Sequence, residues 1–482
     1  MRIAPPRILV TLVLTVGIVA VPSLQATSVG APSKVSPMVL RDTADGKTTK
    51  FMVVLSARAS LGPASLLSTK QAKGQFVFQT MTAFAAKTQA PLKAVLDSMG
   101  ATYTSHWALN ALVVTGGRDA LDAMAARGEV ARIEAIPWIR STVLPVSAAM
   151  AAPQSTPATI EWNIDKIKAP KAWNHGFFGQ GVVIGNIDTG QQWNHPALKN
   201  QYRGWNGSTA DHNYNWYDTI DHSNTPIDPF GHGTHTAGIM VGDDGGANQI
   251  GVAPQAEWFA CRSMDETGFG NEDTYVTCLE YMVAPWDLNG QNPDPSKAPS
   301  IITDSWFCSI TQEGCTQDSL LAPIQALRAA GIVPVFSAGN SGPGCRTIGI
   351  LGPPAQYDEA YTVGSSNISN QLSLFSSRGP VSFMGQRVKP DIVAPGEGVR
   401  SSWPTNTYAV LSGTSMASPH IAGVMALMYS AKPSLIGDVD GTESTINTTA
   451  RHINSWACGS NGTYPNNLWG YGFVDASRAA RP

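Results

Sequence analysis

Apolar and polar positions divide the chain into two stretches with different patterns. Between about residues 48 and 142, the strand-like runs KFMVVLSA, ALNALVVTGG and VARIEAIPWI alternate with helical patterns over about 86–99 and in DALDAMAARG. This β-α-β-β-α-β order predicts a small ferredoxin-like α+β unit. Residues 145–159 are rich in Ala, Pro, Ser and Thr, which predicts an exposed linker after that unit.

The stretch from about residue 160 to 476 contains longer apolar runs. VVIGNID, IVPVFSA and AYTVG are nearly continuous, as is typical of strands that are buried on both faces of a parallel sheet. They alternate with helical stretches, so we expect an open α/β sheet with its site at the carboxyl ends of the strands. The whole chain then divides into residues 1–26, 27–147 and 148–482.

The first 26 residues have the pattern of a secretory signal peptide. Two arginines precede the apolar run ILVTLVLTVGIVAV, and small residues follow it up to Ala26, where we expect cleavage. The apolar run has about 14 residues, whereas a spanning helix needs about 20, so a membrane anchor is the weaker alternative. No later segment is apolar enough to span. We therefore expect a secreted protein with no membrane partner.

The distribution of charge differs between the two folded stretches. Residues 27–147 hold 13 Lys and Arg against 7 Asp and Glu, a net charge of +6, while residues 148–482 hold 17 against 28, a net charge of −11. Opposite charges predict mutual attraction, although chance composition is an equal alternative. The acidic larger stretch argues against nucleic acid as a partner.

The chain has six cysteines, all in its second part. An even number behind a secretory signal favours disulfides over free thiols. Six cysteines permit 15 pairings, and the sequence does not choose among them. Cys261–Cys278 and Cys308–Cys315 are the simplest local pairs, which leaves Cys345–Cys458. No spacing matches a zinc site.

Three motifs carry the candidate chemistry. IDTG ends a predicted buried strand at Asp188, GHGTHTAG places His232 at a helix start, and SGTSMASPH places Ser415 at another, with Pro419 expected in its first turn. Alone, each has an ordinary alternative: a turn, a metal-binding pair with His235, or a helix cap. Together they supply an acid, a base and a nucleophile.

The order Asp, His, Ser and these three motifs resemble the subtilase family of serine proteases, over about residues 160–476. The tail NSWACGSNG…NNLWGYGFVDA is similar to that of bacillopeptidase F-like members. The resemblance implies a subtilisin-like three-layer α/β fold with a mostly parallel sheet, and serine endopeptidase activity on proteins and peptides. It also implies that Asn340 of SAGN supplies a side-chain N–H to the oxyanion hole, together with the backbone N–H of Ser415.

The small unit over residues 27–147 resembles the family's inhibitory propeptide. The resemblance implies that it acts as an intramolecular inhibitor and folding aid, and that its removal falls in about residues 145–160. The chain would then be a self-processed zymogen, and we expect the protein to be a monomer.

The same resemblance implies that a substrate peptide adds as a strand to two exposed edges. The residues implied are Gly268, Phe269 and Gly270 on one edge, Ser305, Trp306 and Phe307 on the other, and Ala338 and Gly339 beside the oxyanion hole. Phe307 stands where the family commonly has a glycine. Either it narrows the pocket for the residue before the scissile bond, or it turns into the core.

The chain also departs from the family at a calcium ligand, because Ala197 replaces a common aspartate. Asp243 and Asp244 offer two carboxylates nearby, which form either a calcium site or a solvated turn, so no metal residue is assigned and the chemistry requires no cofactor. Three other functions compete with proteolysis. They are binding by an inactive subtilase relative, esterase activity of the α/β-hydrolase class, whose triad order differs, and a structural role at the cell surface.

Overall fold

The computed structural model describes residues 1, 34–137, 150–151, 159–310, 313–349 and 352–481. The chain separates into two compact units, Met1–Lys34 and Val35–Pro482. The predicted signal peptide and most of the predicted linker lie outside the described residues, so the boundaries of the three predicted segments stay predictions. All elements described below belong to the second unit.

The N-terminal part of the second unit is a four-stranded antiparallel sheet with the order β2-β3-β1-β4. Its elements are α1 (Pro37–Asp42), β1 (Thr49–Leu55), α2 (Lys70–Ser98), β2 (Thr102–His106), β3 (Ala111–Gly116), α3 (Arg118–Ala125) and β4 (Val130–Ala135). This is the predicted ferredoxin-like arrangement. The prediction that the first long helix begins near residue 86 was wrong, because Thr69 caps α2 by accepting a hydrogen bond from Ala72 N at 3.2 Å.

The remaining elements form the larger α/β part. The helices are α4 (Trp162–Lys166), α5 (Ala169–Trp173), α6 (His232–Val241), α7 (Glu272–Val283), α8 (Leu321–Ala329), α9 (Thr414–Ala431), α10 (Val439–Thr449) and α11 (Ala476–Ala479). The strands are β5 (Met150–Ala151), β6 (Thr159–Ile160), β7 (Val183–Asp188), β8 (Trp216–Asp218), β9 (Asn248–Gln249), β10 (Glu257–Arg262), β11 (Ile301–Asp304), β12 (Val333–Ser337), β13 (Tyr361–Ser366), β14 (Ile392–Pro395), β15 (Val399–Trp403) and β16 (Thr407–Leu411).

Seven parallel strands form the central sheet, in the order β14-β13-β12-β11-β7-β10-β8. Strand β7 lies where the chain order reverses, with β10 on one side and β11 on the other. At such a point the loops after neighbouring strands diverge and leave a crevice at their carboxyl ends. Helices α6 and α9 share one apolar cluster, while α7 and α8 share another with the opposite face. The predicted three-layer α/β fold is therefore confirmed.

The small sheet uses both of its faces. Phe51 and Val53 pack against its own helices, while the alternating residues Met52 and Val54 share an apolar cluster with residues of α7 and α8. Because successive strand residues point to opposite faces, the run KFMVVL can fill two cores. The N-terminal part thus packs on the α7–α8 layer of the larger part.

Three disulfides join the cysteines in the simplest pairing that the sequence suggested. Cys261–Cys278 connects β10 to α7, Cys308–Cys315 closes the loop after β11, and Cys345–Cys458 connects residues that are 113 positions apart. Among the described helices, none combines the length and the apolar character needed to cross a membrane.

Candidate active site

Asp188 and His232 form a hydrogen-bonded pair at the carboxyl end of the central strand. Asp188 ends β7 and is fully buried, and His232 begins α6 with a side chain that is 12% exposed. The Asp188 Oδ1 atom lies 2.7 Å from His232 Nδ1, and Thr236 donates to Oδ2 at 3.2 Å. With Nδ1 held by the carboxylate, Nε2 is the nitrogen left to exchange a proton.

Glycines allow α6 to begin directly against β7. Gly231, which precedes His232, has a φ of +99°, a conformation that side chains disfavour. A Cβ atom on Gly233 would lie 2.0 Å from the Gly190 carbonyl oxygen. The motif GHGTHTAG therefore uses small residues to bring an imidazole to a strand end.

The acidic surroundings of His232 change its proton affinity. Burial alone lowers the pKa of His232, but the charge and hydrogen bond of Asp188 and the charge of Asp228 outweigh it, so its pKa is raised above 6.5. Asp228 accepts hydrogen bonds from the backbone N–H groups of Gly231 (2.7 Å) and Thr234 (2.8 Å), which positions the loop before α6. Sequence reasoning missed Asp228.

Ser415 is the second residue of α9 and lines the same cavity as His232. Its hydroxyl donates to the Ser305 carbonyl at 3.1 Å, while the Ser305 hydroxyl donates to the Ser415 carbonyl at 2.9 Å. Among the described residues, no hydrogen bond joins Ser415 to His232. Bonds between a nucleophile and its base commonly tighten only when substrate binds.

Pro419 explains why the Ser415 carbonyl accepts a hydrogen bond from the Ser305 hydroxyl. The expectation that it lies in the first turn of its helix was wrong, because α9 begins at Thr414 and Pro419 is its sixth residue. Proline has no N–H, so it cannot donate to the carbonyl of Ser415 four residues earlier. The Ser305 hydroxyl satisfies that carbonyl instead. The hydrogen bond that is missing within α9 is therefore replaced by one that joins α9 to Ser305.

Asn340 presents an oriented amide to the cavity. It follows β12, and its Oδ1 atom accepts hydrogen bonds from the backbone N–H and the hydroxyl of Thr414, both at 2.9 Å. These two bonds fix the plane of the amide. Within the described parts of the chain, Nδ2 donates no hydrogen bond, so it is a preset donor beside Ser415.

A cavity of about 190 Å³ brings most of the predicted site residues together. Those that line it are His232, Gly268, Phe269, Ser305, Trp306, Phe307, Gly339, Asn340 and Ser415. Asp188 and two other predicted residues lie behind this lining. Ala338 is buried in a small apolar cluster, and Gly270 donates its N–H to Tyr275 and Glu313, each at 3.2 Å.

The two predicted substrate edges keep free backbone groups. Among the described residues, the carbonyl groups of Gly268 and Gly270 accept no hydrogen bond, and neither backbone group of Phe307 has a partner. The Phe307 side chain is half-buried on the cavity wall, whereas Trp306 turns inward and stacks on Tyr275 with ring centroids 3.9 Å apart. Phe307 lines the cavity and is only half-buried, so it does not turn fully into the core.

Sequence reasoning missed several lining residues, including Phe230, Tyr275 and Glu313. Phe230 directly precedes the GHGTHTAG motif, so its position beside that motif could have identified it as a site residue. Tyr275 lies one turn into the helix after GFGN. Glu313 had no local signal, because the fold of the Cys308–Cys315 loop brings it to the cavity.

The carboxylates of the loop with two aspartates are hydrogen-bonded within their own loop. The Asp243 and Asp244 carboxylates accept hydrogen bonds from the amides of Gly245 (2.8 Å) and Gly246 (2.9 Å), and Ala197 offers no side-chain ligand. Over the described ranges, no group of three or more His, Cys, Asp or Glu residues could hold a metal ion. We therefore assign no metal to these residues.

Comparison with known proteins agrees with this geometry. The sequence profile of the Subtilase family matches residues 179–472. The chain is 40% identical to Bacillopeptidase F of Bacillus subtilis over 331 residues, which cover 66% of this chain and 22% of that protein. It is 31% identical to M-protease of Shouchella clausii over 67% of this chain and 70% of that protein, and 30% identical to Subtilisin Savinase of Lederbergia lenta over 67% and 99%. The chain belongs to the subtilase family of serine proteases.

Proposed function

We propose that this protein is a secreted serine endopeptidase, made as a self-processed zymogen, with Asp188, His232 and Ser415 as its catalytic triad. The observation that carries the proposal is the Asp188–His232 hydrogen bond of 2.7 Å at the edge of the cavity that Ser415 also lines. The subtilase relatives support serine endopeptidase chemistry.

Each member of the triad has one role. The Ser415 hydroxyl gives up its hydrogen bond to the Ser305 carbonyl. His232 Nε2 then removes the hydroxyl proton while the Ser415 oxygen attacks the carbonyl carbon of the substrate peptide. The imidazolium that forms donates its proton to the leaving amine, and the acyl-enzyme is then hydrolysed by water. Asp188 orients the ring and stabilises its charged form, which agrees with the raised pKa of His232.

The tetrahedral intermediate carries a negative oxygen that needs donors. Asn340 Nδ2 and the backbone N–H of Ser415 are the two candidates, and both residues line the cavity. Because Thr414 already fixes the Asn340 amide, little reorganisation is needed when charge develops.

Substrate recognition would use the backbone groups of Gly268, Gly270 and Phe307 for an added strand. Phe307 lines the cavity at a position where, as the resemblance implies, the family commonly has a glycine. We therefore expect a preference for residues of limited size before the scissile bond.

The contacts of the N-terminal part support its role as an inhibitory propeptide. His106 of β2 is buried, with Nε2 2.8 Å from the Asp273 carboxylate and Nδ1 3.4 Å from that of Glu280 on α7. Burial lowers the pKa of His106, but hydrogen bonds and charges from these two acids raise it to about 10. Lys70 donates to the Ala298 carbonyl at 2.8 Å, which adds a second basic contact.

Secretion is supported by two features of different kinds. The first 26 residues have the charged, apolar and small-residue order of a signal peptide. The six cysteines form three disulfides, which persist mainly in oxidising compartments.

Substitution of the nucleophile tests the proposal. Full-length chain and its Ser415→Ala variant would be compared for casein hydrolysis, for labelling by a fluorophosphonate and for removal of residues 27–147, with exposed Ser444→Ala as control. We expect all three to be lost in Ser415→Ala alone. Wild-type-like casein cleavage by that variant would exclude the assignment, and hydrolysis of short esters without casein cleavage would favour an esterase.

A further inference from the structure

One buried carboxylate connects the two edges of the substrate cavity. Glu313 is 3% exposed and lines the cavity. Its Oε1 atom accepts from the Gly270 amide at 3.2 Å and from the Tyr275 hydroxyl at 2.6 Å, and its Oε2 atom accepts from the Ser309 amide at 2.6 Å. Gly270 ends one predicted edge, and Ser309 follows the other by two residues.

Through Tyr275, Glu313 also contacts a pair of stacked aromatic side chains, Tyr275 and Trp306. The Tyr275 ring stacks on Trp306 with an interplanar angle of 9°, and the Trp306 indole N–H donates to the Ile187 carbonyl at 3.0 Å, one residue before Asp188. Glu313 therefore orients Tyr275, which supports the residue next to Phe307. Hydrogen bonds to a charged acceptor are stronger than hydrogen bonds between neutral groups, so the Glu313 carboxylate holds its partners firmly.

The Cys308–Cys315 disulfide holds the bridge in place. Both the Ser309 amide and Glu313 lie inside the short loop that it closes. At the loop's far side, a Cβ atom on Gly314 would lie 2.6 Å from the Ala135 carbonyl oxygen of the N-terminal part, so that backbone is closely packed there. Loss of the disulfide would free the loop and with it the carboxylate.

We infer that Glu313 is a positioning residue that fixes the spacing of the two substrate edges and thereby sets the affinity for extended peptides. This inference rests on the proposed protease function. A peptide long enough to contact both edges depends on their spacing, whereas a short substrate that reaches only Ser415 and the oxyanion donors does not.

The charge of Glu313 matters for the bridge. The pKa of Glu313 is raised to about 7, mainly by burial and also by the charge of Asp265. The hydrogen bonds from Ser309, Tyr275 and Gly270 act in the opposite direction and lower it. Asp265 and Tyr275 are the ionisable groups that influence it from the neighbouring segments. A protonated carboxyl has one acceptor position fewer, so the bridge is complete only above about pH 7.

The experiment compares two substrates and two variants of the processed enzyme. A five-residue and a two-residue p-nitroanilide share the residue before the scissile bond, and Glu313→Gln is matched by Glu266→Gln, an exposed acid in the loop between β10 and α7. We expect Glu313→Gln to raise KM for the long substrate about tenfold, and to change kcat/KM for the short one less than twofold. Cys308→Ala/Cys315→Ala is expected to reproduce this split, and Glu266→Gln to leave both substrates unchanged.

Two further readouts complete the test. In the wild type, KM for the long substrate is expected to rise as the pH falls from 8 to 6, and to stay constant in Glu313→Gln. Hydrogen exchange in the full-length chain reports on the bridge without activity, since the amides of Gly270 and Ser309 are expected to exchange faster in Glu313→Gln alone. Unchanged KM for the long substrate, or equal losses on both substrates, would overturn the inference. A wild type that hydrolyses neither substrate would refute the protease function, and hydrogen exchange would still test the bridge.

Discussion

Replacement of Asn340 by alanine removes the side-chain donor proposed for the oxyanion hole beside Ser415. One of two donors to the developing oxyanion is then lost, which costs about 10²–10³-fold in kcat, or about 2.7–4 kcal/mol of transition-state stabilisation. KM is expected to change little, because the donor acts on charge that exists only during the reaction.

A second variant separates the role of Thr414, which orients the Asn340 amide, from that of Asn340 Nδ2, which donates the hydrogen bond. Thr414→Val removes the hydroxyl bonds to Asn340 Oδ1 (2.9 Å) and Gly339 N (3.1 Å) but keeps the backbone bond to Oδ1. At about 1 kcal/mol for a hydrogen bond, we expect kcat to fall about five- to thirtyfold, less than for Asn340→Ala.

The assay measures kcat and KM on a soluble peptide p-nitroanilide, with active sites counted by fluorophosphonate titration. Asn289→Ala, an exposed asparagine far from the motifs in sequence, serves as the control. A kcat for Asn340→Ala within tenfold of the wild-type value, in a correctly folded and processed enzyme, would refute the assignment of Asn340 to the oxyanion hole.

Three other predictions concern pH, specificity and the N-terminal part. Since His232 must be deprotonated to act as a base and its pKa is raised, kcat/KM is expected to rise with pH around a midpoint above 6.5, and Asp188→Asn to lower kcat about 10⁴-fold; a wild-type midpoint below 6.5 would contradict this. Phe307→Gly is expected to increase kcat/KM about tenfold for substrates with a large residue before the scissile bond, measured by profiling a peptide library, and unchanged selectivity would show that the ring does not shape the pocket. His106→Gln, in full-length Ser415→Ala, is expected to destabilise the folded chain by about 3–5 kcal/mol, an effect present below pH 6.5 and lost as the pH rises through about 10; thermal unfolding across this range checks it, and a difference that is constant with pH would count against the ion pair.

The sequence predicted the layers well and indicated which residues meet at the crevice, because both depend on local patterns. Continuous apolar runs identified β7, β12 and β13, and small residues around His232 and Ser415 indicated helix starts. Their meeting at one crevice followed from the general rule that parallel strands end at the same edge of a sheet.

Long-range contacts were beyond sequence reasoning. Glu313 reaches the cavity because a disulfide loop folds back on it, and Asp228 acts through backbone amides that no motif identifies. The second-turn position of Pro419 was missed because its lost bond is replaced by Ser305, a residue more than 100 positions away in the chain. Tertiary partners of this kind override local helix rules.

The Cys345–Cys458 disulfide has a consequence for a protease that encounters its own copies. It closes a loop over a sequence separation of 113, and Ser415 lies inside that loop while Asp188, His232 and Asn340 lie outside it. A single cut anywhere between the two cysteines therefore leaves Ser415 covalently attached to Asp188 and His232. Nicked molecules would run as one band without reductant and as two with it, and enzyme damaged by autolysis could retain its activity for as long as the folded halves stay together.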